Sequence, residues 1–226
     1  MRLIDADTAQ PGLTILAAHQ TQGKGQRGRE WTAMPGESLL MSIVCAPQYR
    51  IEEQFVFSAA TAVAIVDVLS ELYESWDVRI KWPNDIIIND KKAGGILIEN
   101  VLRGSSWSFS IIGLGLNLLQ DRFPNELPFA TSLKMASGKD FSVQQMFEVL
   151  RRNILLKTNS SLSTAAIMRE YNDCLFRRDC LQKFSDGSQQ WEAFILGVAG
   201  NGALQVQLAN REVFHYHHGS VQWVWE

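Results

Sequence analysis

The chain has 226 residues, 46% of them hydrophobic and 20% charged, with a net charge of −3. That is an ordinary globular balance, long enough for one large domain or a large one with a small appendage. It excludes a global positive field of the kind that draws nucleic acid, a disordered polyelectrolyte and, with only three cysteines, a disulfide framework.

Residues 1–10 read as a short helix stopped by Pro11-Gly12, and Leu13 to His19 as a strand. That strand delivers the chain into Gln20-Thr-Gln-Gly-Lys-Gly-Gln-Arg-Gly-Arg-Glu-Trp31, where Gly23, Gly25 and Gly28 interleave with Lys24, Arg27 and Arg29. Glycines let backbone N–H groups approach an anion, and the cations add charge-assisted hydrogen bonds. Gly23 to Gly28 also fits G-x-G-x-x-G, but a dinucleotide fingerprint needs a helix directly behind it. Pro35 and Gly36 forbid one. Holding so many backbone residues still is costly, so the loop is expected to order on an anionic ligand, with Trp31 covering an aromatic part of it.

Glu37 to Cys45 is a near-continuous apolar run, expected to be a strand covered on both faces. Ile51 to Ser75 carries apolar residues at helical spacing. Val78 to Trp82 and Ile86 to Glu99 read as successive strands, turning at Asn89-Asp90. Ser106 to Ile112 and Gly113 to Leu119 add strand material, and 121–140 reads as irregular. Ser142 opens a helix with Gln145 placed for a capping box, and Thr164 to Asn172 is helical again. Asp186-Gly187 and Asn201-Gly202 are hairpin turns between β-rich runs. The fold class is therefore an α/β (α+β) domain over residues 1–174, with a mixed sheet flanked by helices, followed by a small β-barrel over 175–226. No apolar run reads as the ~20 residues of a membrane span.

Chemistry can reside in three more stretches. Lys81-Trp-Pro-Asn-Asp85 places Asn84 and Asp85 at a strand end, where the plain alternative is a turn. Lys92 precedes Gly94 and Gly95, so its ammonium can stand at a cleft edge, or be a solvated hairpin lysine. Gly113-Leu-Gly-Leu-Asn117 sets glycines two apart in a strand, marking either close approach by a ligand or a bulge. His215, His217 and His218 lack a cysteine or carboxylate at ligand spacing and read as a solvent-facing strand, not a metal site.

Taken together and in this order, the basic glycine loop ending in Trp31, Lys81-Trp-Pro-Asn-Asp85, Lys92-Ala-Gly-Gly-Ile-Leu-Ile-Glu99 and Gly113-Leu-Gly-Leu-Asn117 resemble the biotin protein ligases. The resemblance covers residues 13–120 firmly and the rest in outline. It implies an α/β catalytic domain with a C-terminal SH3-like barrel, and a cytoplasmic ligase that joins biotin and ATP, with Mg²⁺, into biotinyl-5'-AMP. The biotinyl group then passes to one lysine of a biotin carboxyl carrier protein. By resemblance, Gln20, Gly23, Lys24, Gly25, Gln26, Arg27, Gly94, Gly95 and Gly113 line the biotin and phosphate region. Lys92 and Asp85 are the catalytic pair, Asp85 also serving the metal, and Trp31, Asn84 and Asn117 contact the nucleotide.

Lys24 and Gln26 stand where many relatives carry arginine, which favours single over bidentate anion contacts. The family's Ser-Thr-Asn segment, which contacts the ureido ring, has no counterpart ahead of the loop. The chain is expected to start inside the helix that follows that segment. A truncated biotin- or adenylate-binding relative without turnover is thus one alternative, and a lipoate-attaching enzyme another. No DNA-binding domain, nucleic acid or membrane is expected, and monomer and homodimer both stay open.

Overall fold

A computed structural model describes residues 10–104 and 106–225. The helix expected over residues 1–10 lies, but for Gln10, outside them. Six strands form the first sheet: β1 (Thr14–Ala17), β2 (Ser38–Cys45), β3 (Val78–Lys81), β4 (Asp85–Ile88), β5 (Lys91–Arg103) and β6 (Ser106–Asn117). Their order is β1-β2-β6-β5-β4-β3. Each ladder is antiparallel, where a mixed sheet was expected. Short turns from β3 through β6 explain this, since a tight turn can join only antiparallel neighbours. Asn89 and Asp90 make one such turn with φ of 49° and 62°, the left-handed pair that a two-residue hairpin loop needs. The two stretches expected on either side of residue 113 are one unbroken strand, β6.

One sheet face is packed by helices α1 (Gln54–Leu72), α3 (Val143–Thr158) and α4 (Thr164–Asp173). Helix α1 is buried nearly all round because α3 and α4 cover what the sheet leaves. Ala59, Ala60, Ala62 and Ala64 keep its sides narrow enough for that approach, and the hydroxyl of Thr61 is satisfied by the Phe57 carbonyl at 3.0 Å. By length and composition the 22 residues Ile51–Leu72 are apolar enough to cross a bilayer, contrary to the sequence reading, but 67% of the most apolar window is buried in the protein. Here that apolarity serves a core helix. Ser142 caps α3 by accepting from Gln145 N at 3.3 Å. Within the segment expected to be irregular, a short helix α2 (Leu133–Ser137) forms between the Ser132 cap and left-handed Gly138.

Beyond α4 the chain runs beside β3 before leaving the first sheet. Ile80 N donates to Cys174 O at 2.8 Å and Phe176 N to Ile80 O at 2.9 Å. The second sheet follows with β7 (Leu181–Ser185), β8 (Gln190–Val198), β9 (Leu204–Gln207), β10 (Val213–Tyr216) and β11 (Gln222–Val224), in the order β10-β9-β8-β7-β11. Phe184, Ile195, Val206 and Trp223 continue the core of the first domain into it without a break. The two sheets are therefore packed against each other through one core, with a cleft between them.

Candidate active site

Among the described residues no α-helix covers the second face of the first sheet, and alternation along the strands decides what it shows. Leu40 of β2 opposes Gly115 of β6, Gly115 opposes Gly95 of β5, and Gly95 opposes Asp85 of β4. One row lower, Ser42 opposes Gly113, and Gly113 opposes Leu97. Three glycines thus leave a floor of bare backbone in the middle of a sheet. Over it lies a cleft of about 1170 Å³ bounded by the 20–31 loop, the Lys81–Asp85 turn, Lys92 and the C-terminal sheet.

Lys92 reaches this face because of a register shift. Gly94 pairs with Ile86 but Lys92 pairs with Ile87, so Ala93 is an extra residue. A bulge of this kind flips the alternation and re-aims the side chain before it. Without it, Lys92 would share the helix-side face with Gly94. Residues beside Ala130 pin the bulge from the other edge: Lys92 N donates to Phe129 O at 2.6 Å and Thr131 N to Lys92 O at 2.8 Å. The Lys92 ammonium then meets the Asp85 carboxylate at 2.6 Å, with side chains 34% and 19% exposed.

The glycine-basic loop is folded as a narrow hairpin. Gly25 N donates to Arg29 O at 2.7 Å and Trp31 N to Gly23 O at 2.9 Å, around a 3-10 turn Gln26–Gly28 in which Arg27 has φ 56°. No helix follows at 32–37, as Pro35 and Gly36 require. The hairpin sets Trp31 directly on the floor. A Cβ on Gly115 would lie 2.5 Å from the indole Cε2, and one on Gly95 3.4 Å from Cζ3. Lys92 Nζ stands 5.9 Å from the same ring. Trp31 Nε1 and Gln26 Oε1 are buried without a hydrogen-bond partner, a donor and an acceptor of the sort that a bound ligand satisfies.

The C-terminal sheet supplies the far wall. Arg27 Nη1 donates to Gly219 O at 3.0 Å, and Gly219, with φ +85°, has no room for a Cβ beside that guanidinium. Trp82 Nε1 donates to Gly202 O at 3.0 Å, and His218 meets the Trp82 ring edge-on at 5.8 Å. Lys81 Nζ lies 4.7 Å from the Trp223 ring centre and 5.3 Å from that of Trp225, which is stacked on Phe129. Burial pulls the Lys81 ammonium down to about 8, Asp85 opposing and Lys92 and Arg29 adding to the shift. Burial also lowers His218, helped by Arg27 and Arg29.

Of the residues singled out in the sequence, the cleft brings together Gln20, Lys24, Gly25, Gln26, Arg27, Trp31, Asn84, Asp85, Lys92, Gly95 and Gly113. Three stand off its lining. Gly23 is needed by the hairpin itself, since a Cβ there would strike the Trp31 carbonyl. Gly94 faces the helix side, where a Cβ would come within 2.9 Å of Gly115 O and 3.0 Å of Leu116 Cδ1. Asn117 is buried, its amide donating to Thr131 O at 3.0 Å. Asn84 is at the cleft but stitches its turn to β5, with Ile96 N donating to Asn84 O at 3.0 Å. Lys81 and Gly115 lie in stretches read from the sequence as candidate sites but carry no individual role there, and Trp223 and Trp225 lie outside those stretches. The spacing of Gly113 and Gly115 is the signal of close approach read in the sequence, whereas the tryptophans meet Lys81 only through the packing of distant sheets.

Among the described residues no group of three His, Cys, Asp or Glu side chains could hold a metal ion. Asp85 is a single carboxylate, already matched by Lys92. That fits one ligand to an ion carried in on a nucleotide, since Mg²⁺ often takes one or two carboxylates plus phosphate oxygens.

The family model described as the biotin/lipoate A/B protein ligase family matches residues 2–117. The chain belongs to that family. Among relatives of this family member, the bifunctional ligase/repressor BirA of Bacillus spizizenii is 31% identical over 198 residues, 86% of this chain and 55% of that one. The biotin–[acetyl-CoA-carboxylase] ligase of Mycobacterium tuberculosis is 32% identical over 126 residues, covering 54% and 45%. The chain spans about half the length of the curated relatives it matches. In fold it is similar to the biotin protein ligase of Aquifex aeolicus solved with biotin and ATP, with a TM-score of 0.79 at 21% identity over 96% of this chain and 91% of that one.

Proposed function

We propose that this chain is an ATP-dependent biotin–protein ligase working in the cytoplasm, where its three free cysteines suit a reducing compartment. The observation that carries the reading is the placing of Lys92 by a bulge beside Asp85, above a glycine floor and beneath a cationic hairpin. Two anions must meet there. A carboxylate oxygen of biotin attacks the α-phosphorus of ATP, the bond to the β-phosphate oxygen breaks, and pyrophosphate leaves. Lys92 is positioned to neutralise the carboxylate as it approaches and the phosphoryl oxygens as charge builds on them. One preorganised donor of this kind is worth ~10²–10³ in rate. Asp85 is the carboxylate that would hold a Mg²⁺ ion bound with the nucleotide, and such an ion would supply charge to offset that of the phosphates.

Gln20, Lys24, Gly25, Gln26 and Arg27 close over the acyl phosphate, and Trp31 covers the adenylate and keeps water from the anhydride. In the second step a carrier lysine amine attacks the acyl carbon, its bond to the phosphate oxygen breaks, and AMP leaves. Asp85 then orients the incoming amine. The acceptor is proposed to be a biotin carboxyl carrier protein. The family model covers lipoate as well as biotin ligases, but the Mycobacterium tuberculosis relative and the fold neighbour are both named as biotin ligases, which favours biotin. Biotin-dependent ATP–pyrophosphate exchange tests this. Exchange driven by biotin and not by lipoate is expected, and exchange driven by lipoate alone would overturn the choice of substrate.

A further inference from the structure

Lys81 has no part in that scheme, yet it stands beside the reacting groups. Across the turn it opposes Asp85, and Asp85 opposes Gly95, so the three form one row on the cleft face. Asp85 is already matched by Lys92 at 2.6 Å. Among the described residues the ammonium of Lys81 rests instead on two indole faces, at 4.7 and 5.3 Å, both from the C-terminal sheet. Ring faces compensate only part of what a cation loses on leaving water. Arg29 lines the same cleft. The lining carries carboxylates as well, Glu30, Asp85, Glu99, Glu126 and Asp186 against Lys24, Arg27, Arg29, Lys81 and Lys92, but the Lys81 ammonium lies against ring faces, which leaves its charge available to an incoming anion.

The row also fixes where that anion sits. Lys92 serves the carboxylate and the phosphoryl group under attack, one strand further in. Lys81 stands on the outer side of Asp85, where the cleft continues between Phe129 and the turn at Asp186. When the α–β bond of a nucleoside triphosphate breaks, the electron pair stays on a β-phosphate oxygen, away from the attacked phosphorus. That new charge needs a cation of its own. We propose that Lys81 is the cation for the pyrophosphate leaving group, held in place by Trp223 and Trp225 of the C-terminal sheet. This rests on the adenylating reading above, and it gives the second domain a share in the chemistry of the first.

The test uses the intact protein, with inorganic pyrophosphate as calorimetric probe and exchange kinetics beside it. Lys81→Met is expected to weaken pyrophosphate binding at least tenfold and to raise the KM for ATP by a similar factor, with biotin affinity within twofold of the parent. Lys81→Arg, keeping the charge, is expected to restore pyrophosphate binding to within threefold. Unchanged pyrophosphate binding in Lys81→Met overturns the assignment. So does an equal loss of biotin and pyrophosphate affinity in both variants, which marks a packing role. A parent protein without biotin-dependent exchange sinks the ligase reading, while the assignment of Lys81 to pyrophosphate still stands or falls on the titration.

Discussion

Gly94 and Gly115 offer the same chemical change, one added methyl group, on opposite faces of one sheet. At Gly94 the new Cβ meets a backbone carbonyl, Gly115 O, at 2.9 Å and Leu116 Cδ1 at 3.0 Å. Ordinary contacts lie at about 3.5–4.0 Å, and the carbonyl belongs to the adjoining strand, so relief means spreading the β5–β6 ladder. Overpacking of this kind costs ~1–3 kcal/mol, which for a protein of this size is a fall in Tm of roughly 2–12 °C. At Gly115 the obstacle is the edge of the Trp31 ring, at 2.5–2.9 Å, a side chain on a hairpin that can turn aside without moving the sheet. Gly115→Ala should therefore leave stability within about 1 kcal/mol of the parent. Its methyl group would nevertheless push the Trp31 ring off the floor it rests on and so misplace the cover of the site, and one misplaced carbon in a pocket is worth about 10–200-fold. Thermal unfolding and biotin-dependent exchange on both variants read the two effects. Stability lost at Gly115 and kept at Gly94 would refute the assignment of faces.

Three further perturbations follow from the same geometry. Lys92→Ala should lower exchange by ~10²–10³, yet change stability by no more than about 1 kcal/mol, because the ion pair it breaks is partly exposed; exchange within threefold of the parent would remove Lys92 from the scheme. Gly219→Ala puts a methyl group where the Arg27 guanidinium lies, so the hairpin should lose its hold on the C-terminal sheet and be cut faster by trypsin at Arg27, whereas equal cleavage rates would show that the latch does not restrain the loop. Lys81 has a folded pKa of about 8, below its ordinary 10.5, so the unfolded chain binds the extra proton between those values and this group makes stability rise with pH there. Lys81→Met should flatten that rise in urea melts from pH 8 to 10.5, and an unaltered slope would contradict the shift.

Much of the fold can be read locally. Asn89-Asp90 names its turn through the left-handed backbone both residues adopt, and Ser142 names the start of α3 through its cap. The short helix α2 also carried its signals, Ser132 and Gly138, but two prolines nearby in an otherwise turn-rich segment outweighed them. Faces were harder. Period-two alternation separates Gly94 from Gly95 but would put Lys92 on the Gly94 face, and only the bulge at Ala93 turns Lys92 into the cleft beside Gly95. A bulge has no reliable sequence mark when neither strand partner is known. Asn117 sits in a motif beside two cleft glycines but pairs with Thr131, fourteen residues on through an irregular segment. The contacts of Lys81, Trp82 and Arg27 with residues beyond 200 arise when two sheets pack, and no local pattern encodes them.

The account depends on one mixed anhydride forming and staying in the cleft. Protein incubated with biotin, ATP and Mg²⁺, passed through a desalting column and analysed by mass spectrometry after denaturation, should release close to one biotinyl-AMP per chain, and none when either substrate is omitted. Recovery of free biotin and intact ATP alone, from protein shown to be folded, would contradict it.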